Sequence, residues 1–435
     1  MVLTALDRSD VESQVRLRVE AELAAELAHR DRTRVRVDDQ LWVNELVRRV
    51  VGEEQRRALT PISPEESEQL WRRVFAGVTP LGPLAEHLAD PDVEEVRING
   101  TESCFVFREG RRHEVDPPFG DETALIELVH WYTDGTPSAR LDRASPTVTM
   151  TLPEGSRLHA ALSPPARPMC VTIRRHPPAR FRDLESLAGS GFLPRQLIAF
   201  LEAAVAGRLN ILIAGGAGAG KTTFMRVLAR LIAPEERVVT IEDQSELHLW
   251  RELRDCISLE GRPPNTEGRG AITIQMLVHE ALRMSPDRII IGEVRGGEAL
   301  DLLDAMNTGH PGSICTIHAD SPRDTLPRLA RVALRNPQAP RVEAVLAEVV
   351  HTVDLVLFAG LVRGADSSGS RGRKLLSLGC VGGLDDGRPA VQELVRFGQD
   401  GRWHLVGSPA AMPERIRAKL AEICDPLRLL DAFDA

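Results

Sequence analysis

LNILIAGGAGAGKTT, residues 209–223, is the stretch of sequence that decides the fold. Its apolar start, residues 209–214, predicts a short strand buried on both faces of a sheet. A glycine-rich turn follows, and then FMRVLARLI places apolar residues at helical spacing, which predicts a helix over 221–232. The turn fits the pattern G-x-x-x-x-G-K-[ST] without a mismatch, in the strand–loop–helix setting that this pattern requires.

The residues of this turn suit the binding of a polyphosphate. Small residues let main-chain N–H groups approach the anion. The small residues of this turn are Gly215, Gly216, Ala217, Gly218, Ala219 and Gly220. The start of the helix adds its unpaired N–H groups and the positive end of its dipole. Lys221 brings a compact charge to the outer phosphates, and the hydroxyl of Thr222, next to Thr223, is placed to bind Mg²⁺. The alternative is a glycine-rich turn between core elements.

Lysine is rare in this chain. Lysines and arginines together number 54, and only three are lysines: Lys221, Lys374 and Lys419. Because arginine is the usual cation here, a lysine at the end of the glycine-rich turn indicates that a point charge is needed there rather than a planar fork.

The composition is that of a globular protein with two or three domains. The chain has 435 residues, of which 43% are hydrophobic and 27% are charged. A net charge of −9 argues against a general nucleic-acid binder, which would carry an excess of basic residues. Aromatic residues make up 4% and include one tyrosine, Tyr132, so few side chains are available to stack on bases.

Cysteine spacing and hydropathy indicate a protein of the cytoplasm. The six cysteines are scattered and form no C-x-x-C pair, so neither a zinc module nor a disulfide framework is predicted. The N-terminus lacks the basic and apolar regions of a signal peptide. The apolar tract around residue 209 is broken by Glu202 and Arg208 and is too short for a membrane span of about 20 residues. Any membrane association is expected to be peripheral.

The first 175 residues predict a helical arm, 1–60, followed by a small α/β domain, 61–175. Helices are expected over 10–30 and 38–58, and a third begins with a capping box formed by Ser63 and Glu66. The arm either docks a partner or packs against its own domain. In the α/β domain the predicted elements are a helix over 121–134 and antiparallel strands over 93–100, 103–110, 146–152, 157–163 and 169–175, with a hairpin turn at Asn99 and Gly100.

Residues 176–191, rich in Pro, Arg, Gly and Ser, are predicted to connect this domain to a second one, 192–435. The second domain alternates strands and helices, which is typical of a parallel sheet with helices on its faces. Its further predicted elements are strands at 237–243, 288–294 and 313–319, a short strand within LRDCISLEG, and helices at 273–284, 296–309 and 321–334. After about residue 350 strands and turns dominate, and 363–373 is expected to be a mobile loop.

Acidic residues end two of these strands, where a parallel sheet gathers its ligands. Glu293 ends RIIIGEV and is expected to bind Mg²⁺, directly or through water, while Glu242 and Asp243 end RVVTIED, with Glu246 one turn later. Nucleotide hydrolysis needs carboxylates that hold the metal and orient water, and a cation for the charge on the transferring phosphoryl group. The alternative for each carboxylate is a helix cap or a surface charge.

Histidines and arginines supply further candidates. His318 follows strand ICTI and is a candidate sensor of the γ-phosphate, and His310 lies in a turn at a helix end. Arg262 and Arg269 lie in a Pro/Gly-rich loop and are candidates to meet phosphate, within one subunit or across a subunit boundary. The alternative is a structural role for the histidines and a solvated loop for the arginines.

Five motifs, in order, resemble the successive boxes of one family. They are GGAGAGKTT, VVTIEDQSEL, GRPPNTEGRG, ALRMSPDRIIIGEVRGGEALDLLDAMNTGHPGS and TIHADSPRD. With them the chain resembles the type II/type IV secretion ATPase superfamily, and within it the Tad/Flp pilus-assembly branch, the CpaF-like ATPases. In the first domain GVTPLGPL, VEEVRING, GSRLHAAL and CVTIRR also resemble that branch, so the resemblance covers roughly residues 75–360.

This resemblance implies a PAS-like N-terminal domain on a RecA-like P-loop ATPase domain, with ATP and Mg²⁺ bound between the two. It places 215–222 in the Walker A loop, Glu293 in Walker B and His318 in the His box. Glu242, Asp243 and Glu246 fall in the family's acidic box. The resemblance also implies that arginines of the first domain approach the nucleotide, and the matching positions are Arg140, Arg157, Arg174 and Arg175.

The resemblance further implies a homo-oligomeric ring of six subunits at the cytoplasmic face of the inner membrane, bound to a platform protein there. Two features depart from the family's patterns. Ser258 stands where an arginine is expected next to Leu259, and there is no four-cysteine zinc module, which disfavours the general secretory-pathway branch.

We therefore expect an Mg²⁺-dependent ATPase that couples hydrolysis to the movement of pilin or a secreted substrate across the membrane. Lys221 and Thr222 are expected to hold the β- and γ-phosphates with Mg²⁺, while Glu242 positions or activates water and Glu293 supports a metal-bound water. The first alternative is a RecA-like nucleic-acid translocase of a conjugative system, although no direct DNA binding is expected from the acidic composition. The second is a nucleotide-responsive scaffold that does not cycle.

Overall fold

A computed structural model gives the fold of most of the chain. The residues it describes are 5–30, 39–57, 63–78, 84, 87–88, 90, 92–108, 111–133, 139–152, 155–175, 181–262, 264, 268–363 and 371–433. They form two compact units, Met1–Pro178 and Ala179–Ala435. Among the helices that the structure describes, none has the length and apolar character of a membrane-spanning helix.

Three helices open the first unit and share one apolar core. They are α1 (Ala5–His29), α2 (Gln40–Arg57) and α3 (Pro64–Val78). The predicted capping box of α3 is confirmed, since Ser63 N donates to Glu66 Oε2 at 3.0 Å and Glu66 N donates to Ser63 Oγ at 3.1 Å. Val74 of α3 is buried in the same core as residues of α1 and α2, so the third predicted helix packs with the first two.

An antiparallel sheet follows, as predicted, but with six strands where the sequence predicted five. Its strands, in the order β3-β2-β1-β6-β5-β4, are β1 (Val93–Asn99), β2 (Ser103–Arg108), β3 (Arg111–Val115), β4 (Thr147–Thr151), β5 (Arg157–Ala161) and β6 (Cys170–Arg174). The sheet shares its apolar core with α4 (Glu122–Thr133). The predicted hairpin turn is confirmed, with Gly100 at a φ of 57°. The sequence did not predict β3, because RRHEV lacks apolar alternation and is exposed along most of its length.

Nine strands form the sheet of the second unit, in the order β15-β14-β13-β12-β7-β11-β10-β8-β9. They are β7 (Ile211–Gly215), β8 (Val238–Glu242), β9 (Cys256–Glu260), β10 (Arg288–Val294), β11 (Ile314–Ile317), β12 (Leu355–Arg363), β13 (Arg371–Asp385), β14 (Arg388–Phe397) and β15 (Trp403–Leu405). From β12 to β9 all neighbouring strands pair in parallel, whereas β13, β14 and β15 add antiparallel pairs. The predicted parallel sheet is confirmed, and the strand-rich region after residue 350 extends it.

Helices of the second unit pack on both faces of this sheet. They are α5 (Leu184–Gly189), α6 (Ile198–Ala206), α7 (Lys221–Ala229), α8 (Ile274–Ala281), α9 (Glu298–Asn307), α10 (Thr325–Ala333), α11 (Val342–Thr352) and α12 (Glu414–Ala421). Successive residues of β7 enter opposite cores, with Ile211 and Ile213 on one face and Leu212 and Ala214 on the other. As the sequence predicted, β7 is buried on both faces.

Two helices begin where the sequence did not place them. The helix predicted from residue 321 begins at Thr325, because Ser321 first closes a turn in which its Oγ accepts from Asp324 N at 3.2 Å. Within the predicted connection 176–191, α5 buries Leu184 and Leu187 in the core of the second unit. This part of the predicted connection is therefore a folded helix.

The predicted mobile loop 363–373 overlaps two strands. Arg363 ends β12 and Arg371 begins β13, so residues 371–373 belong to a strand. Residues 364–370 lie outside the described residues.

A buried carboxylate joins α12 to the parallel sheet. Asp354, which is 1% exposed, lies immediately before β12. It accepts a hydrogen bond from Asn210 N at 2.9 Å and pairs with Arg415 Nη1 at 2.8 Å and Lys419 Nζ at 2.7 Å, both on α12. These partners neutralise and hydrogen-bond the carboxylate, which a buried charge requires.

Candidate active site

The predicted strand–loop–helix unit is present, and its loop bends at glycines. β7 ends at Gly215 and α7 begins at Lys221. The φ angles are 145° at Gly215, 71° at Gly218 and 93° at Gly220, a region that side chains with a Cβ disfavour. Residues 216–218 are exposed, which leaves their backbone open to an incoming group.

Gly215 is required by a close approach of two strands. A Cβ at this position would lie 2.0 Å from the carbonyl oxygen of Ala359 on β12, which pairs with it in parallel register. No side chain of the neighbour can move aside, because the clash is with backbone.

Lys221 lies folded over the loop. Its Nζ donates to Gly215 O at 2.9 Å and to Gly216 O at 3.0 Å, and the residue is 8% exposed. Burial lowers the pKa of the Lys221 ammonium, and the nearby charge of Glu293 opposes this shift. Beside it, Thr222 is half-buried and Thr223 is exposed in the first turn of α7.

An arginine that the sequence did not single out contacts the same loop. Arg373 on β13 donates from Nε to Gly218 O at 2.9 Å. Lys374, the next residue, donates from Nζ to Gly191 O, so two consecutive cations of β13 hold backbone near the loop. The contact joins residues 155 positions apart in sequence, and no local pattern marks it. The one signal in the sequence was the neighbouring Lys374, because lysine is rare in this chain.

Three parallel strands bring the predicted acidic residues and His318 together. Arg295, just beyond β10, lies between two of the carboxylates: its Nη2 is 2.5 Å from Glu293 Oε2 and its Nη1 is 3.2 Å from Asp243 Oδ2. His318 Nε2 is 3.1 Å from Glu293 Oε1. The sequence did not single out Arg295, which follows the predicted Glu293 by two positions.

The histidine in this network is held towards its neutral form. Burial lowers the pKa of His318, and the charges of Lys221, Arg295 and Arg328 lower it further, while Glu293 raises it. The contact between His318 and Glu293 is close but not aligned as a hydrogen bond, so Glu293 Oε1 is buried without a hydrogen-bond donor among the described residues. That oxygen is thus able to accept from a metal-bound water.

Glu242 is buried and faces backbone. It is 3% exposed and accepts hydrogen bonds from the amides of Glu246 and Leu247, each at 3.1 Å from Oε1. Gly292 on β10 leaves room for it, since a Cβ there would lie 3.0 Å from Glu242 Cγ. Burial raises the pKa of Glu242 to about 7. In this structure Glu242 accepts hydrogen bonds from the turn that follows β8. Its role in positioning or activating water remains a prediction.

The remaining candidates of the second unit are Arg262, Arg269 and His310. Arg262 donates from Nε to Gly270 O at 3.0 Å within its own loop, where it bridges Ile272, and Arg269 is exposed. His310 Nδ1 is 2.9 Å from Pro286 O, which supports the structural alternative for this histidine.

The candidate arginines of the first unit differ in the groups that they contact. Arg175 donates to the backbone carbonyls of Asp90 and Val93, the latter at 3.4 Å, and Arg140 pairs with Asp142. Arg174 stands directly opposite Arg157 on the neighbouring strand. Two like charges in cross-strand register repel each other.

The carboxylates fit a hydrated Mg²⁺ better than a metal held by protein alone. Within the described ranges no group of three or more His, Cys, Asp and Glu side chains could hold a metal ion. Mg²⁺ in nucleotide sites keeps several waters and takes its other ligands from phosphates and one or two side chains. Thr222, in the first turn of α7, and the unsatisfied Oε1 of Glu293 suit that arrangement.

The first prediction concerns Gly215→Ala. The added Cβ would meet Ala359 O at 2.0 Å, so β7 and β12 must separate. We expect the midpoint of thermal unfolding, measured without nucleotide, to fall by about 5 °C or more. Gly216→Ala is the matched control for stability, because no atom lies within 4 Å of its added Cβ. Equal midpoints for the two variants would show that the contact between β7 and β12 does not require a glycine.

The second prediction uses the raised pKa of Glu242. Between its ordinary value of 4.5 and about 7, Glu242 is ionised in the unfolded chain but protonated in the folded one. Its contribution to stability is therefore complete at low pH and is lost as the pH rises to about 7. We expect the free energy of unfolding of Glu242→Gln to fall less than that of the wild type from pH 5 to pH 7.5, by up to about 3 kcal/mol. The exposed Glu280→Gln serves as control, and parallel curves for Glu242→Gln and the wild type would refute the shift.

Comparison with known proteins gives the family. The family model described as "Type II/IV secretion system protein" matches residues 79–412, more than half of the chain. A putative conjugal transfer protein of Mycobacterium tuberculosis H37Rv is 35% identical over 290 residues, which cover 62% of this chain and 80% of that protein. Protein VirB11 of Agrobacterium fabrum is 32% identical over 292 residues, covering 60% of this chain and 83% of that protein.

One further relative and one solved structure agree with this result. The type IV secretion system protein PtlH of Bordetella pertussis is 35% identical over 265 residues, covering 54% of this chain and 78% of that protein. The X-ray structure of the ATPase DotB of Legionella pneumophila superposes with a TM-score of 0.50 at 19% identity, covering 81% of this chain and 86% of that one, which supports the fold alone. From the family model and these relatives we conclude that the chain belongs to the type II/IV secretion system family and is a P-loop ATPase of that family.

Proposed function

We propose that this chain is the ATP-hydrolysing motor of a type IV secretion or pilus-assembly machine, of the Tad/Flp type, and that it drives the movement of pilin or a secreted substrate across the membrane. The observation that carries the proposal is the cluster of Glu293, Arg295 and His318 beside the phosphate loop. The charge of Glu293 acts on Lys221, so the carboxylate lies within electrostatic reach of the cation that holds phosphate. The relatives reported above carry conjugal-transfer and type IV secretion names, and the narrower Tad/Flp assignment depends on the motifs quoted from the sequence.

In this mechanism the loop holds the polyphosphate. Backbone N–H groups of residues 216–220 and the start of α7 meet the β- and γ-phosphates, together with Lys221. Mg²⁺, when bound, neutralises charge on these phosphates, and Thr222, Asp243 and Glu293 are the residues assigned to it, Glu293 through water. Arg295 keeps Glu293 and Asp243 in place, because it pairs with both.

Glu242 is the residue to which we assign the positioning or activation of the attacking water. A carboxyl group with a pKa of about 7 accepts a proton readily near neutral pH. Its oxygen is held by the amides of Glu246 and Leu247, so the turn after β8 must shift before this carboxylate meets water. Such a shift on closure of the site is the kind of gating step that loops of many enzymes perform.

Arginines complete the site in this proposal. The transferring phosphoryl group needs a cation, and Arg174, Arg175, Arg262 and Arg269 are the candidates from the first unit and from the loop 262–270. We place the protein in a homo-oligomeric ring, a hexamer, at the cytoplasmic face of the membrane, where an inner-membrane platform protein binds it. Closure of the site around ATP, propagated from one subunit to the next, would drive the movement of the transported substrate.

Lys221→Ala and Glu293→Gln test the proposal. Lys221→Ala should lose nucleotide affinity, because the phosphates lose their cation. Glu293→Gln should still bind ATP, yet its kcat should fall by about 100-fold or more. The exposed Glu280→Gln is the matched control and should turn over ATP as the wild type does. Turnover near the wild-type rate in both site variants would overturn the assignment, and tight ATP binding by the wild type without phosphate release would favour the scaffold alternative.

A second candidate function is a conjugative nucleic-acid translocase. Besides the names of the relatives, one observation favours it. Phe105 and Phe107 lie on one face of β2, and the guanidinium groups of Arg112 and Arg97 stack over their rings at 4.8 and 4.1 Å. Aromatic rings and arginines on an open sheet face are the groups on which single-stranded nucleic acids stack.

DNA-stimulated ATP turnover decides between the two functions. A translocase should hydrolyse ATP faster with single-stranded DNA, the stimulation should decline steeply with salt, and Phe107→Ala should reduce it. Glu102→Ala, an exposed change at the neighbouring turn, is the control. Turnover that DNA leaves unchanged at low salt would exclude the translocase and leave the secretion motor.

A further inference from the structure

A cavity opens beside the carboxylate network, between the end of β11 and α10. It has a volume of about 400 Å³, and its lining includes His318, Asp320, Asp324, Arg328 and Arg331. His318 belongs to both the cavity and the carboxylate network, because its Nε2 is 3.1 Å from Glu293 Oε1. The cavity is therefore continuous with the residues assigned to the γ-phosphate.

The two arginines of the cavity differ in their partners. Arg331 Nη2 donates to both carboxylate oxygens of Asp324, each at 2.9 Å, so its charge is neutralised locally. Arg328 lies one helical turn earlier and is half-buried. No hydrogen bond or ion pair connects its side chain to any residue in the described ranges.

A guanidinium that no carboxylate or carbonyl occupies is available to bind an anion. The planar fork of arginine matches phosphate oxygens, to which it donates two parallel hydrogen bonds. The acidic residues around Arg328 do not supply that anion: Asp324 is taken by Arg331 and Glu293 by Arg295. Asp320 also lines the cavity, but it is exposed to solvent.

Arg328 also lies near the reacting groups. Its charge is one of the causes that lower the pKa of His318, together with those of Lys221 and Arg295. The imidazole thus lies within the combined field of three cations. An oxyanion in this cavity would meet Arg328 beside His318.

We propose that Arg328 binds the phosphoryl group that ATP hydrolysis transfers to water, either as the γ-phosphate of ATP or as inorganic phosphate after cleavage. This inference rests on the proposed ATPase function. Water attacks the γ-phosphorus and the bond to the β-phosphate oxygen breaks, giving ADP, phosphate and a proton. Arg328 donates hydrogen bonds to the phosphoryl oxygens and exchanges no proton. Arg331 takes no part, because Asp324 occupies its guanidinium.

The test compares Arg328→Ala with Arg331→Ala, its matched control in the same cavity and on the same helix. ADP affinity should be unchanged in both, since Arg328 meets only the terminal phosphoryl group. Arg328→Ala should lower kcat by about 100-fold, Arg328→Lys should recover part of the loss, and Arg331→Ala should stay close to the wild type. Unfolding midpoints of all variants show whether each is folded.

Two binding measurements separate the sources of the phosphoryl group. If Arg328 holds the γ-phosphate, Arg328→Ala should weaken binding of a non-hydrolysable ATP analogue by about 10-fold or more while ADP binds as before. If it holds the product, analogue affinity stays the same, and inhibition of turnover by inorganic phosphate weakens by about 10-fold. A folded Arg328→Ala that matches Arg331→Ala in kcat, analogue affinity and phosphate inhibition would overturn the proposal.

These measurements distinguish failure of this inference from failure of the proposed function. If the wild type hydrolyses ATP and Lys221→Ala does not, the ATPase function holds whatever Arg328 does. If the wild type does not turn over, the proposed function fails, and the inference fails with it unless the analogue binds more weakly to Arg328→Ala than to Arg331→Ala.

Discussion

The backbone contact between Gly215 and Ala359 is the constraint on which the active site depends. β7 and β12 run in parallel and pair up to the last residue of β7, where a side chain would clash with a carbonyl oxygen 2.0 Å away. The chain therefore leaves the sheet at one fixed point and turns through positive φ angles into α7. Lys221 begins that helix, so its ammonium lies where the loop needs a charge.

The same parallel sheet assembles the other charged groups. β7, β8, β10 and β11 all end at one edge, and the residues that follow them meet there. Arg295 pairs with Glu293 and with Asp243, although these carboxylates come from different strands. Among the described residues of this group, Lys221 and Arg295 face carbonyls or carboxylates, whereas Arg328 faces neither. The proposed contact with the phosphoryl group uses this remaining positive charge.

Sequence patterns predicted those features that backbone geometry dictates. The glycine-rich loop, the buried β7 and the acidic residues at strand ends follow from local rules, and so does the capping box at Ser63. The strand RRHEV escaped prediction because an exposed charged strand carries no apolar alternation. Arg373 was not predicted because the carbonyl that it contacts, Gly218 O, is distant in sequence. Arg295 and Arg328 were not predicted because, in a chain rich in arginine, no spacing marks the arginines that belong to the site. Glu242 was predicted as a site residue, but its hydrogen bonds to the next turn depend on tertiary packing.

Each of the three lysines has a fixed task. Lys221 covers the phosphate loop, Lys374 donates to Gly191 O and lies 5.5 Å from the centre of the Trp403 ring, and Lys419 pairs with Asp354. Amine modification, for example with succinimidyl esters or by reductive methylation, should therefore disturb a structural contact whichever lysine of this chain reacts. Labelling of Lys221 should report occupancy of the nucleotide loop, whereas labelling of Lys419 should loosen α12 from the sheet.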